Sequence, residues 1–171
     1  MLEVKANNWY RDNYLISTEP NLLQVEAVNA ALSSDLVWWA NGLPLETTKK
    51  ALHNSLCLGL YALPQSTSEI AGHSSPKQIG LLRVVTDDVT FAYLTDVYVQ
   101  PEYQGKGLGR WMLECLDEII KGWPHLRRFM FLTNDAMDLY RKTIGAKEWS
   151  EAKTEGVQVG TVEGPGWQQP Q

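Results

Sequence analysis

The chain of 171 residues is short of cysteine, of clustered basic charge and of long apolar runs, and each shortage excludes a class of protein. Its two cysteines, Cys57 and Cys115, each sit inside an apolar run, which predicts reduced, buried core thiols. No window approaches the roughly 18 apolar residues of a membrane span. The opening "MLEVKANNWYRDNY" has no basic region followed by an apolar stretch, so no secretory signal is read there. A soluble cytoplasmic protein is expected, with the nucleus left open as a compartment and no membrane partner. Lys and Arg number 15 against 20 Asp and Glu, a net charge of -5, and the basic residues are scattered. That pattern carries no nucleic-acid footprint. His53, His73 and His125 share no metal-ligand spacing, so no metal is expected.

What is present is an ordinary globular composition, 44% hydrophobic and 20% charged, with seven Trp and seven Tyr as core filler or as lining for an apolar or cationic ligand. This length fits one domain, read over residues 1–163, followed by a Gly/Pro/Gln-rich tail, "GPGWQQPQ", over 164–171. "WYRDNYLIST" (9–18) reads as a first strand. Residues 21–32 place Leu22, Val25, Val28 and Leu32 at helical spacing behind Asn21 as N-cap, and 45–54 read as a second helix with Pro44 at its first turn. "SLCLGLYAL" (55–63) is a continuous apolar run, as a buried strand requires, and 64–76 is a polar loop. Residues 78–100 form two strands hinged at Thr86–Asp88, the second placing Val89, Phe91, Tyr93, Thr95, Val97 and Val99 on one face. A helix follows with the stripe Leu108, Met112, Cys115, Leu116, Ile119 and Ile120, stopped by Gly122 and Pro124. Then come a strand at 127–133, a short helix at 134–145 capped by Asn134 or Asp135, and one or two final strands. The order predicts a mixed-sheet α/β or α+β domain.

The stretch "VYVQPEYQGKGLGRWM" (97–112) packs three glycines between a strand and a helix. Its spacing does not match the phosphate loop G-x-x-x-x-G-K-[ST], because no Ser or Thr follows Lys106. Nor does it match the dinucleotide pattern G-x-G-x-x-G, because Arg110 stands where the last glycine belongs. The unpaired N–H groups of a helix N-terminus and the helix dipole nevertheless favour an anion here. Glycines let a pyrophosphate approach those donors, and Lys106 and Arg110 add positive charge at the rim. The turn predicts a phosphate-bearing cofactor.

With Gln104, Gly107 and Gly109 it meets the pattern Gln/Arg-x-x-Gly-x-Gly, and here the sequence resembles the GCN5-related N-acetyltransferase (GNAT) superfamily. "FAYLTDVYVQPEYQGKGLGRWMLE" resembles the family's strand 4, pyrophosphate loop and following helix. "NDAMDLYRKTIG" resembles its later segment, and "WWANGLPLETTKKALHNSLCLGLY" is similar to small members from bacteria and fungi. Two departures stand out: the strand-4 pair is Thr95-Asp96 where many members carry two acidic residues, and Ala146 follows Gly145 where an aromatic is usual.

The resemblance implies a mostly antiparallel sheet flanked by helices and splayed between strands 4 and 5. It implies an acetyl-CoA-dependent N-acetyltransferase acting on a small-molecule primary amine, by direct attack in a ternary complex. A peptide acetyltransferase and a non-catalytic acyl-CoA-binding domain are the alternatives. Val97, Tyr98 and Val99 would offer main-chain groups to pantetheine and the thioester. Gln104, Gly105, Lys106, Gly107, Leu108, Gly109 and Arg110 would hold the pyrophosphate, with Asn134 on pantetheine or capping its helix. Tyr140 would protonate the departing thiolate, and Asp96 would serve as base, directly or through water. Trp38, Trp39, Arg83, Phe91 and Tyr93 would form the acceptor pocket. A monomer or homodimer is expected.

Overall fold

The structure, a computed structural model, describes residues 6–37, 39–64, 75–152 and 155–166. Six strands form one sheet in sequence order: β1 (Asn8–Arg11), β2 (Tyr14–Ser17), β3 (Leu56–Ala62), β4 (Lys77–Thr86), β5 (Phe91–Val99) and β6 (Arg128–Phe131). The first five run antiparallel and β6 lies parallel to β5. The expected first strand is therefore a hairpin, turned at Asp12, whose φ of 50° places it in the left-handed region that Asp tolerates. The expected strands 4 and 5 are β5 and β6.

Helices cover both faces. On one, α3 (Leu108–Lys121) and α4 (Met137–Ile144) close over Ile16, Leu58, Leu60, Leu82, Val84, Ala92 and Leu94. On the other, α1 (Val25–Leu32) and α2 (Leu45–His53) close over Cys57, Leu81 and Tyr98. Because β3 is buried on both faces, its apolar run is unbroken rather than alternating. Both cysteines are buried and free, and desolvation pushes each thiol up to about 12.

Three boundaries move from expectation. Asn21 lies in a 3-10 turn (Pro20–Leu22), and α1 starts later because Gln24 is held to β4: its side chain accepts from the Gln78 amide at 3.0 Å and donates to Pro76 O at 2.6 Å. Neither Asn134 nor Asp135 caps α4; the Thr133 hydroxyl accepts from the Ala136 amide at 3.1 Å. Among the described residues beyond α4 no strand forms, only a 3-10 turn (Trp149–Glu151) tied to α4 through Arg141. The loop expected at 64–76 falls mostly outside the described residues.

The alternation expected along β5 fails at one residue. Leu81 pairs with Tyr98 and Arg83 with Thr95, so Asp96 and Val97 together oppose Leu82. Asp96 takes φ 50°, and this bulge reverses the strand's parity. Ala92, Leu94, Val97 and Val99 face α3, whereas Tyr98 joins the cluster under α1 and α2.

Candidate active site

Pairing between β5 and β6 ends at Leu94–Phe131, while β5 continues to Val99. The sheet opens there into a cleft of about 1060 Å³. From Thr95 to Val99 the unpaired edge of β5 runs about 13 Å at the usual rise of a strand. One wall comes from the loop before α3, the opposite wall from Leu132–Ala136 and α4, and the far end from Leu36, Trp39 and Ala40 after α1. The cleft thus reaches both faces of the sheet.

The end nearest α3 is built from backbone. Gly105 and Gly107 have φ of 77° and 72°, a conformation that costs other residues strain. A Cβ at Gly105 would meet nothing within 4 Å and one at Gly107 would reach only the tip of Arg11, so both leave open space beside the main chain. Gln104 secures the turn by donating Nε2 to Val99 O at 2.8 Å. No side chain caps α3, so its first amides remain available donors. Leu108, Gly109 and Arg110 line the cleft beside them, the guanidinium of Arg110 meeting Glu114 at 3.0 Å.

The middle of the cleft carries the main chain of Val97, Tyr98 and Val99 facing Asn134, Leu139 and Tyr140. The Tyr140 ring packs on Phe131 with centroids 4.2 Å apart. Burial, aided by the nearby charge of Asp135, raises its phenol above the ordinary value, so it holds its proton at neutral pH.

Side chains build the far end. Thr95 shares the face of Tyr93 by alternation, and the bulge turns Asp96 to that same side, beside Arg83. Arg83 donates Nε to Asp96 Oδ2 at 2.7 Å and Nη1 to the Ser55 hydroxyl at 3.1 Å; the Thr95 hydroxyl reaches Asp96 Oδ1 at 3.3 Å. Burial and the charge of Asp96 raise the Tyr93 phenol. The segment bearing Leu36, Trp39 and Ala40 is held by Asn29, which exchanges hydrogen bonds with Leu43 (2.8 and 3.0 Å) and accepts from the Thr48 hydroxyl at 2.9 Å.

Of the residues expected at the site, Trp38 lies outside the described residues. Three others are off the cleft wall. Phe91 is 40% exposed at the opposite end of β5, beside Arg128. Arg83 stands behind Asp96 as its counter-ion. Lys106 turns away, its Nζ 3.3 Å from the Tyr14 hydroxyl and over the Tyr103 ring. Sequence reasoning missed Leu36, Tyr103, Leu132, Thr133, Asp135, Ala136 and Leu139 on the wall. It also missed Arg11, which stacks on Trp111 and donates to Lys106 O at 3.5 Å. Thr133, Asp135, Ala136 and Leu139 had a signal in their proximity to Asn134 and Tyr140, and Tyr103 had one beside Gln104.

Residues 48–146 match the acetyltransferase (GNAT) family, and a Gibberella zeae protein named as an acetyltransferase is 52% identical over 96% of this chain and 97% of its own length. The chain belongs to the GNAT family. A GNAT-family structure from Xanthomonas campestris pv. campestris superposes with a TM-score of 0.66 at 30% identity, covering 81% of this chain and 87% of that one. A thialysine N-epsilon-acetyltransferase of Bos taurus is 42% identical over 64 residues, 36% of this chain and 37% of the relative.

This GNAT member is thus an acetyltransferase, and enzymes of this fold use acetyl-CoA. Its residues fit that group: uncapped amides at α3 and open space beside two positive-φ glycines suit a pyrophosphate, and an unpaired strand edge suits an amide-bearing arm. No described cluster of His, Cys, Asp and Glu has the makings of a metal site, and no described helix is long and apolar enough to cross a membrane.

Proposed function

We propose that this acetyltransferase acetylates the primary amine of a small molecule, by direct attack with donor and acceptor bound together. The observation that carries the reading is the cleft's passage through the sheet, with anion-suited amides at one end and a carboxylate among aromatics at the other. Acetyl-CoA, when bound, supplies the acetyl group as a thioester. The amides at Gly105–Arg110 hold its phosphates, and the edge of β5 with Asn134 aligns the arm. An amide at Val97 or Tyr98 stabilises negative charge developing on the carbonyl oxygen. Asp96 accepts a proton from the attacking nitrogen at Oδ1, directly or through a water, while Arg83 holds the other oxygen. Tyr140 gives its proton to the departing sulfur. Holding both reactants in line removes much of the entropic barrier. Similarity to a relative named for transfer to an ε-amine supports nitrogen as the acceptor.

A domain that only binds acyl-CoA has no use for a proton-bearing phenol at the sulfur. The test is release of free thiol from acetyl-CoA across a panel of small amines and basic peptides. Amine-dependent release with small amines is expected. Release only with peptides would move the acceptor class, and tight CoA binding without any release would leave the fold a binding module.

A further inference from the structure

The charges around the acceptor end limit what can sit there. Among the described residues lining the cleft, the charged ones are Asp96, Arg110 and Asp135. Arg110 belongs to the first turn of α3 and is paired with Glu114. Asp135 lies on the sulfur side, where its charge acts on Tyr140. That leaves Asp96 as the only described charge on the acceptor wall, and Arg83 balances it at 2.7 Å. Arg83 is itself committed, giving a second hydrogen bond to Ser55 from behind the wall.

An acceptor bearing a carboxylate or phosphate would therefore bury its anion against no uncommitted cation among the described residues. A diamine or polyamine would bring a second ammonium to a wall whose one described carboxylate is taken by the first. Either mismatch leaves a desolvated charge without a partner. The remaining wall is Leu36, Trp39, Ala40, Tyr93 and Thr95, whose hydroxyl is engaged with Asp96, and Leu132, 82% exposed, begins the adjoining wall. Resting on the proposed N-acetyltransferase reading, we infer that the acceptor is an arylalkylamine: one primary amine on a short chain ending in an uncharged aromatic body. Its nitrogen meets Asp96 Oδ1 and its ring packs between Trp39 and Tyr93. The attacking nitrogen forms the new amide C–N bond, the C–S bond breaks, the nitrogen's surplus proton leaves through Asp96, and the sulfur takes its proton from Tyr140.

Steady-state kinetics on the full chain with saturating acetyl-CoA test this, using phenethylamine and tryptamine against cadaverine, spermidine and free lysine. The aromatic monoamines should exceed the others in kcat/KM by about 10–100-fold, the worth of burying one aromatic ring. Trp39→Ala should raise KM for phenethylamine about tenfold with kcat little changed, and should leave the affinity for CoA alone. Preference for cadaverine, spermidine or lysine, or equal use of all five, would overturn the inference while amine acetylation stands. Turnover of none of them, beside normal CoA binding, would overturn both.

Discussion

The two ends of the cleft solve recognition with different materials. Near α3 the wall is main chain: two glycines at positive φ and a helix start with no side-chain cap. At the other end it is side chains, each held by a partner distant in sequence: Arg83 on Asp96, Asn29 on Leu43 and Thr48. Backbone donors suit a ligand part that is always the same, whereas side chains can be exchanged without touching the turn. On the proposed function, the first end would serve a fixed donor and the other would set the acceptor.

The largest effect should follow from blocking the backbone end. Gly107→Trp forces a non-glycine residue into φ 72° and fills the space beside the amides, so binding of CoA should be lost to calorimetry. Gly156→Trp imposes similar strain at φ 78° away from the cleft and should keep normal affinity. Normal affinity in the Gly107 variant would mean that phosphates bind elsewhere.

Next comes the group between the two ends. Tyr140→Phe keeps the ring stack on Phe131 and should keep CoA affinity, while turnover falls about 100-fold, at the low end for a general acid because a thiolate leaves tolerably well. The raised phenol loses its proton only above its ordinary value of about 10, so activity that needs the proton persists to higher pH and declines on the alkaline side of that value. The variant should lack this decline. Parent-level turnover would reduce Tyr140 to packing.

The same contrast decides what the sequence made legible. The turn and α3 were readable because their causes are local: glycine freedom, helical spacing and an N-terminus without a cap. Tyr140 came with its own helix. Asp96 was readable as an acid on a strand, but not the company it keeps. The bulge that turns it toward Arg83 depends on two residues opposing Leu82 across the sheet, and plain alternation placed Val97 on the wrong face. Phe91 was misplaced for a related reason, since parity says which face a residue takes but not how far the cleft extends. The hairpin within 9–18 turns on Asp12-Asn13, a pair tolerant of turns, but with β-formers on both sides the segment also reads as one continuous strand. Leu36 and its neighbours lie in a loop whose far end, at Leu43, is tied back to α1 by Asn29, a contact no periodicity encodes.

At the side-chain end, removing one partner should expose the dependence. Arg83→Gln leaves Asp96, whose side chain is 9% exposed, without its guanidinium. Stability should fall by about 3 kcal/mol, the lower end for a broken buried pair, and kcat/KM by about tenfold. Arg83→Lys should recover part of the rate, and adding Asp96→Asn to Arg83→Gln should cost less than the two losses summed, because the residues act as a unit. Additive losses would separate Arg83 from Asp96 and return it to the role of an independent substrate contact.

The smallest effect tests whether the phosphate end is main chain at all. Lys106 sits in the middle of the glycine turn, and by sequence alone it is the obvious phosphate ligand. Its ammonium instead rests 3.3 Å from the Tyr14 hydroxyl and 5.2 Å from the Tyr103 ring centre, outside the cleft wall. An exposed cation at that remove contributes through a screened field, an effect of at most about 1 kcal/mol. Lys106→Ala should therefore weaken CoA by no more than about fivefold at physiological salt, with the gap from the parent closing as salt is raised. A tenfold loss that persists in high salt would show the ammonium leaving Tyr14 to bind phosphate directly, and the contrast between a backbone end and a side-chain end would have to be redrawn around that lysine.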